Sequence, residues 1–106
     1  MKSELTVEES NVLIKLGLDP KLASSSVEVP CGNMVCHEKV FTFTDILSKL
    51  MEYSERDEFG MFYDKKIKEW NVGYEPLYLH SAPELIDALA ILLAKLLKLE
   101  NELKHE

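Results

Sequence analysis

The segment that most constrains the fold runs from Ser81 to Lys104, with the sequence SAPELIDALAILLAKLLKLENELK. Its leucines recur at alternating spacings of four and three residues, the heptad pattern of an amphipathic helix. They are Leu85, Leu89, Leu92, Leu96, Leu99 and Leu103. Ser81 and Glu84 have the spacing of a capping box, and Pro83 falls in the first turn, where its missing N–H costs nothing. The pattern predicts one helix from Ser81 to about Leu103, about 33 Å long at 1.5 Å per residue.

Two interpretations of this helix stay open at the level of sequence. A second apolar row widens the apolar face of the first three turns, as expected of a helix packed on a sheet. The row comprises Ile86, Ala90, Leu93 and Leu97. In one interpretation, all six leucines belong to the core of the domain. In the other, Leu96, Leu99 and Leu103 contact a partner helix, including the same helix of a second chain. Lys95 and Glu100 then fall at the g and e positions, where they can pair across a parallel homodimer.

The N-terminal half predicts a helix followed by a hairpin. Thr6 and Glu9 have capping-box spacing, and Gly17 suits the left-handed residue that often ends a helix. The predicted apolar stripe of this helix consists of Val12, Leu13 and Leu16. The segment 27–43 is rich in β-branched residues, and the pair Gly32–Asn33 within it is a hairpin turn signal.

The remaining segments predict a second helix and a second extended pair. Thr44 is the expected N-cap of the helix. Its predicted buried stripe consists of Ile46, Leu47, Leu50 and Met51. In segment 59–81, alternation favours strands that meet at the turn DKKIKE, and Pro76 is expected at an edge or bulge. We therefore predict a single α+β domain over residues 1–106, ordered helix, hairpin, helix, hairpin, long helix. Its sheet is mainly antiparallel, and the C-terminal helix packs on one face.

Composition excludes several classes of partner. The chain has 106 residues, a formal net charge of −7, and one basic cluster, in segment 64–69, that is flanked by acidic residues. We therefore expect no nucleic-acid binding by direct phosphate contact, which needs a basic face. Lys95 and Lys98 interrupt the longest apolar run, and the first ten residues contain no apolar segment. These features favour a cytoplasmic protein with no membrane span and no signal peptide.

The stretch VPCGNMVCHEK places two cysteines and a histidine close together. Cys31, Cys36 and His37 are the candidates for a metal- or thiol-dependent site. The C-x4-C spacing with one histidine lacks the four ligands of structural zinc, and it is not the C-x2-C redox motif. We therefore favour a simple hairpin turn. If its loop is the four residues 32–35, the cysteines face each other within disulfide reach. If it is the two residues 32–33, they are offset diagonally.

Aromatic residues of the second extended pair form another candidate surface. Trp70, Tyr74 and Tyr78 are its candidate partner-binding residues. Both faces of the pair carry aromatic residues, so some of them must point outward. An exposed strip of tyrosine and tryptophan on a sheet is a common protein-binding surface.

Three stretches carry a resemblance: EESNVLIKLGLDP, WNVGY and SAPELIDALAILLAKL. Together they resemble a loose set of small, acidic, uncharacterised proteins of gut-bacterial genomes, often encoded by prophages or mobile elements. The resemblance covers about half of the chain, and its outline is a helix ending in L-G-L, an aromatic strand and a terminal helix. It implies this fold outline and a bacterial cytosolic or phage-associated accessory role, and it assigns no activity. The Cys–Cys–His stretch lies outside the outline.

The sequence supports two functional hypotheses. The first is a non-enzymatic interaction or accessory protein that acts through the terminal helix or the aromatic strands. One form of this hypothesis is a homodimer. The second is a small module dependent on a metal or a thiol at Cys31, Cys36 and His37. The chain has no glycine-rich phosphate loop and no G-x-S-x-G motif, so we predict no catalytic residue and no cofactor.

Overall fold

The computed structural model describes residues 2–53, 59–74 and 78–104, without the side chains of residues 78, 79 and 104. In this part of the chain, three helices and five strands form an α+β fold, as the sequence predicts. They are α1 (Val7–Lys15), β1 (Ser25–Cys31), β2 (Met34–Val40), α2 (Phe43–Glu52), β3 (Phe59–Asp64), β4 (Glu69–Tyr74), β5 (Tyr78–Ala82) and α3 (Leu85–Lys104). A short 3-10 turn, Pro20–Leu22, connects α1 to β1.

The described strands form two antiparallel sheets. β1 and β2 pair with each other, whereas β4 lies between β3 and β5. The strand β5 departs from the prediction. Ser81, the expected cap of the last helix, instead lies in β5 opposite Asn71, and α3 begins at Leu85. At Ser81, the backbone pairing with the central strand β4 outweighs the contribution of a helix cap, which is about 1 kcal/mol.

Helix α1 begins with the predicted capping box. The Glu9 amide donates to Thr6 Oγ1 (3.2 Å), and the Thr6 amide donates to the Glu9 carboxylate (2.9 Å). Gly17 follows the helix with a φ of +113°, the left-handed region in which glycine is favoured. The stripe is shifted from the prediction: Leu13 is buried, but Val12 is exposed in a groove between α1 and α3.

Helix α2 is capped by Thr42, and the prediction of Thr44 was wrong. The Asp45 amide donates to Thr42 Oγ1 (3.3 Å), and the Thr42 amide donates to Asp45 Oδ2 (2.9 Å). Asp45 thus takes the place of the glutamate in a capping box. Phe43, predicted as the last extended residue of the hairpin, is the first residue of the helix. Met51, predicted as buried, is exposed in the last turn.

Helix α3 is the centre of the core and packs against β4, β5 and α2. Its buried residues are Leu85, Ile86, Ala88, Leu89, Leu92, Leu93 and Leu97. They meet Val72 and Tyr74 of β4, and Ile46 and Leu50 of α2, in one cluster. The predicted packing of the C-terminal helix on strands is therefore confirmed. No helix in the described part of the chain is long and apolar enough to cross a membrane.

The segment before α1 joins the elements through its backbone. The Leu5 amide donates to the Phe41 carbonyl, and the Phe43 amide donates to the Ser3 carbonyl, both over 2.9 Å. The Phe41 amide in turn donates to the buried Ser10 Oγ (3.2 Å). These bonds hold α1 beside the connection between β2 and α2.

Lys2 links α1 to α3 by charge. Its Nζ lies 2.8 Å from Glu9 Oε1 and 2.8 Å from Asp87 Oδ1. Its backbone amide also donates to Glu84 Oε2 (3.1 Å), immediately before α3. Partial burial of the ammonium group alone lowers the pKa of Lys2, but the hydrogen bonds to Asp87 and Glu9 outweigh it and raise the pKa.

The molecule is flat. It measures 50 × 41 × 18 Å, and its radius of gyration is 15.0 Å, against about 13 Å for a compact chain of this length. Its accessible surface is 7308 Å², whereas a typical monomer of this mass exposes roughly 6,000 Å². The fold therefore leaves a large surface for its number of residues.

Candidate interaction surface

The cysteine stretch is a hairpin with the two-residue turn Gly32–Asn33. Cys31 is opposite Met34, and Cys36 is opposite Val29, so the two cysteines do not face each other. They lie diagonally on one face of the hairpin, because alternate strand residues share a face. Gly32 has a φ of +65°, as the first central residue of a type II′ turn requires. The two-residue loop is thus the correct one of the two alternatives.

The electrostatic environment of Cys36 keeps its thiol protonated. A hydrogen bond to Cys31 is the main cause that raises the pKa of Cys36, followed by partial burial and the charge of Glu38. Reactive and metal-binding thiols need the opposite shift. Both cysteines are free.

His37 lies on the other face of the same hairpin. It follows Cys36 directly in β2 and is opposite Glu28, and successive residues of a strand point to opposite faces. Cys31, Cys36 and His37 therefore cannot surround one ion while the hairpin is paired. Within residues 2–53, 59–74 and 78–104, no group of three or more histidine, cysteine, aspartate or glutamate side chains is placed to hold a metal ion.

His80 belongs to the other sheet and is not brought to the cysteines. It lies in β5 opposite Val72, on the face that carries the core. Partial burial, together with the positive charge of Lys95, lowers the pKa of His80. The side chain is therefore neutral at neutral pH.

The leucine row of α3 leaves the core gradually. Leu85, Leu89 and Leu92 are buried, and Leu96 packs against the core cluster. Leu99 is half-buried, and Leu103 is 70% exposed. Of the candidates Leu96, Leu99 and Leu103, only Leu103 thus presents a largely free side chain. Near the same end, Asn101 Nδ2 donates to the carbonyl oxygen of Leu16 (2.9 Å), so α3 still contacts α1 there.

The three aromatic candidates have different environments. Trp70 is half-buried and is tilted against Tyr63, with ring centroids 5.4 Å apart. Tyr74 is wrong as a surface candidate: its ring is buried in the core, and its hydroxyl donates to the Leu50 carbonyl. The side chain of Tyr78 lies outside the described residues.

The apolar surface of the second sheet instead follows its edge strand. Met61, Phe62 and Tyr63 of β3 are exposed by 40%, 55% and 44%, and Ile67 in the adjoining turn by 57%. We call these four residues the β3 edge. Met61 is opposite the core residue Val72, so Met61 and Tyr63 lie on the core face of the sheet and Phe62 lies on the other. The β3 edge therefore carries apolar side chains on both faces of a strand that pairs on one side within the described part of the chain.

The charges at this hairpin are nearly balanced. Residues 59–74 contain two carboxylates and three lysines, which gives +1 in a chain whose net charge is −7. The lysines lie in the turn, where the Lys66 amide donates to Asp64 Oδ1 (2.9 Å) and Lys68 adopts a φ of +55°. Positions 59–63 carry no charge. A second acidic surface meets less repulsion here than the overall charge implies.

None of the sequence candidates Trp70, Tyr74 and Tyr78 belongs to the β3 edge. The sequence pattern predicted that some aromatic residues of the strand pair point outward, but it did not indicate which ones, and the structure shows Phe62 and Tyr63 exposed. Met61 was not identified, because an isolated methionine gives no signal of exposure. Its exposure follows from the strand order, which places β3 at the edge of the sheet, whereas Ile67 lies in the turn between β3 and β4.

A second apolar area lies between α1 and α3. Val12 and Ile91 are exposed there by 54% and 45%, and they line a shallow groove of about 330 Å³ with Ala90 and Ala94. The carboxylates at its end are already bound to Lys2. This groove has no free backbone edge, and nothing in its charges selects a partner.

Comparisons with known proteins add no family to these observations. No protein-family model matches the chain, and neither the curated proteins nor the solved structures contain a match.

Proposed function

We propose that this chain is a small, acidic, non-enzymatic interaction protein that binds a protein partner through the β3 edge. The single observation that carries the proposal is that β3, among the described strands, pairs on one side only and exposes apolar side chains on both of its faces. Soluble monomers normally protect an edge strand with charges, proline or a bulge. An unprotected, apolar edge is a site for strand addition, in which backbone hydrogen bonds give affinity and side chains give specificity.

Two further observations support a binding role. The accessible surface is larger than that of a typical monomer of this mass, so area is available for an interface. The hairpin is close to neutral, whereas the remainder of the chain is acidic. From the resemblance to small phage- and mobile-element-encoded proteins, we further propose an accessory role in a bacterial cytoplasm.

Site-specific photocrosslinking tests the proposal. We place p-benzoylphenylalanine at Phe62 and, as a matched control, at Ile91, which is comparably exposed in the α1–α3 groove. We expect protein adducts in cells from position 62 and none from position 91. Equal adducts from both positions, or none from position 62, would contradict the proposal. The identity of the adduct does not matter for this test.

A further inference from the structure

We infer that the partner of the β3 edge is a second copy of this chain, joined by antiparallel pairing of the two β3 strands about Met61. The inference rests on the proposed function and names its partner. Among the described residues, β3 pairs with β4 alone, so the hydrogen-bonding groups of its outer edge are available to another strand. The uncharged positions 59–63 give five residues of overlap between the copies.

The sequence of β3 is complementary to itself in this register. When Met61 is opposite Met61 of the second copy, Phe59 is opposite Tyr63, and Gly60 is opposite Phe62. A side chain built on Gly60 would meet no atom within 4 Å, so there is open space beside its backbone for an aromatic ring. Placing an aromatic residue across from a glycine is a known way to stabilise a weak position in a sheet.

Aromatic contacts inside each copy extend the same pattern. Phe59 is tilted against Tyr74, with centroids 5.3 Å apart, and Tyr63 is tilted against Trp70 at 5.4 Å. In the proposed register, Phe59 of one copy joins Tyr63 of the other. On each side of the central Met61 pair, four aromatic rings then form a row across the interface. The row consists of Tyr74 and Phe59 of one copy and Tyr63 and Trp70 of the other. Cross-strand aromatic pairs of this kind contribute to sheet stability.

The neighbouring register is less favourable. Pairing about Phe62 would also overlap five residues, but it places Asp64 opposite Gly60, inside the new sheet. Asp64 already accepts a hydrogen bond from the Lys66 amide in its own turn. The register about Met61 leaves this carboxylate outside the five paired positions.

Symmetry and area are consistent with a dimer. In the register about Met61, the side chains of directly opposite residues lie on the same face of the sheet. A two-fold axis perpendicular to the sheet therefore relates the copies, and both α3 helices lie on one face. The result is a six-stranded antiparallel sheet. A stable interface needs about 800 Å² from each partner. The fold exposes roughly 1,300 Å² more than expected for its mass of 12.1 kDa.

A charge swap at the centre of the register tests the inference. At roughly 100 µM, where a micromolar dimer is mostly formed, we expect the wild type to sediment at twice the chain mass of 12.1 kDa. Met61→Lys and Met61→Glu should each sediment as monomers, because two like charges would face each other on the axis. An equimolar mixture of the two variants should recover the double mass. Met61 is 40% exposed, so both side chains can reach solvent, and circular dichroism checks the fold.

The control variant is Leu103→Glu, at the exposed end of α3, which should sediment as the wild type. A monomeric wild type, a dimeric Met61→Lys, or a mixture that stays monomeric would each overturn the inference. So would a Leu103→Glu variant that dissociates, because the copies would then meet through α3. If position 62 gives adducts with other proteins while the wild type is monomeric, the proposed function stands and this inference fails.

Discussion

Asn101 of α3 donates a hydrogen bond to the carbonyl oxygen of Leu16 across 2.9 Å. The carbonyl groups at a helix C-terminus lack partners within their own helix, and Leu16 is the C-cap of α1. A side chain 85 residues away thus completes the end of the first helix. The bond also explains why the last turns of α3 stay attached to the domain beyond Leu97, its last buried residue.

We expect Asn101→Ala to lower the free energy of unfolding by about 1 kcal/mol, the usual cost of one hydrogen bond. Asn101→Asp should lower it further at neutral pH, because a carboxylate cannot donate and would face the carbonyl oxygen. Urea denaturation measures both. The matched control is Glu102→Ala at an exposed neighbouring position, expected to change stability by less than about 0.5 kcal/mol. Equal effects at both positions would show that the bond contributes nothing.

The Lys2 cluster predicts a specific dependence of stability on pH. Burial alone would raise the pKa of Glu9, but hydrogen bonds from Lys2 and Thr6 lower it to about 2. Since the pKa is lower in the folded state, the stabilisation is present above the ordinary pKa of about 4.5 and is lost as the pH falls toward 2.

Between about pH 6 and about pH 3, the wild type should therefore lose more stability than Lys2→Met, in which Glu9 has lost its main partner. Urea midpoints at the two pH values give the comparison. Lys39→Met, an exposed lysine in β2, is the control and should retain the wild-type slope. An identical slope for Lys2→Met and the wild type would exclude this role of the cluster.

Tyr74 tests the distinction between core and surface. Its buried hydroxyl donates to the Leu50 carbonyl, near the end of α2. We expect Tyr74→Phe to cost about 1 kcal/mol of stability and to leave the mass in solution unchanged. Tyr63→Phe, at an exposed position, should leave the stability unchanged within error. A Tyr74→Phe variant with altered mass but normal stability would restore Tyr74 as an interface residue.

The cysteine pair can be tested by its titration. The hydrogen bond to Cys31 raises the pKa of Cys36, so Cys31→Ala should move the midpoint of the pH-dependent alkylation rate of Cys36 to lower pH. Mass spectrometry of the alkylated peptide follows Cys36 alone. Glu28→Gln, on the opposite face of the hairpin, should leave the midpoint in place. A midpoint that does not move in Cys31→Ala would argue against contact between the two thiols.

The sequence predicts those features that depend on neighbouring residues. The Thr6–Glu9 box, the Gly17 terminus and the turn Gly32–Asn33 all rest on contacts within a few positions. The cap of α2 was misplaced by two residues because Thr42 and Thr44 are equally good caps by type. Asp45 decides between them, since it lies three residues after Thr42.

Features that depend on distant pairing could not be predicted in the same way. The motif at Ser81 has the local signature of a helix cap, but the partner that places it in a strand is Asn71 of β4. The candidate site shows the same limit. Alternation indicates that some aromatic residues face outward, whereas the exposure of Met61 and Phe62 depends on which strand lies at the edge.

The hairpin of β1 and β2 opens more easily than the core around α3. Of its strand residues, Val40 alone is buried, whereas α3 is surrounded by the core. Such a hairpin can separate without exposing the leucines of α3, and its amides then exchange with solvent through local openings rather than global unfolding. A protease that cleaves the turn Gly32–Asn33 would therefore leave two fragments still held together by the helices.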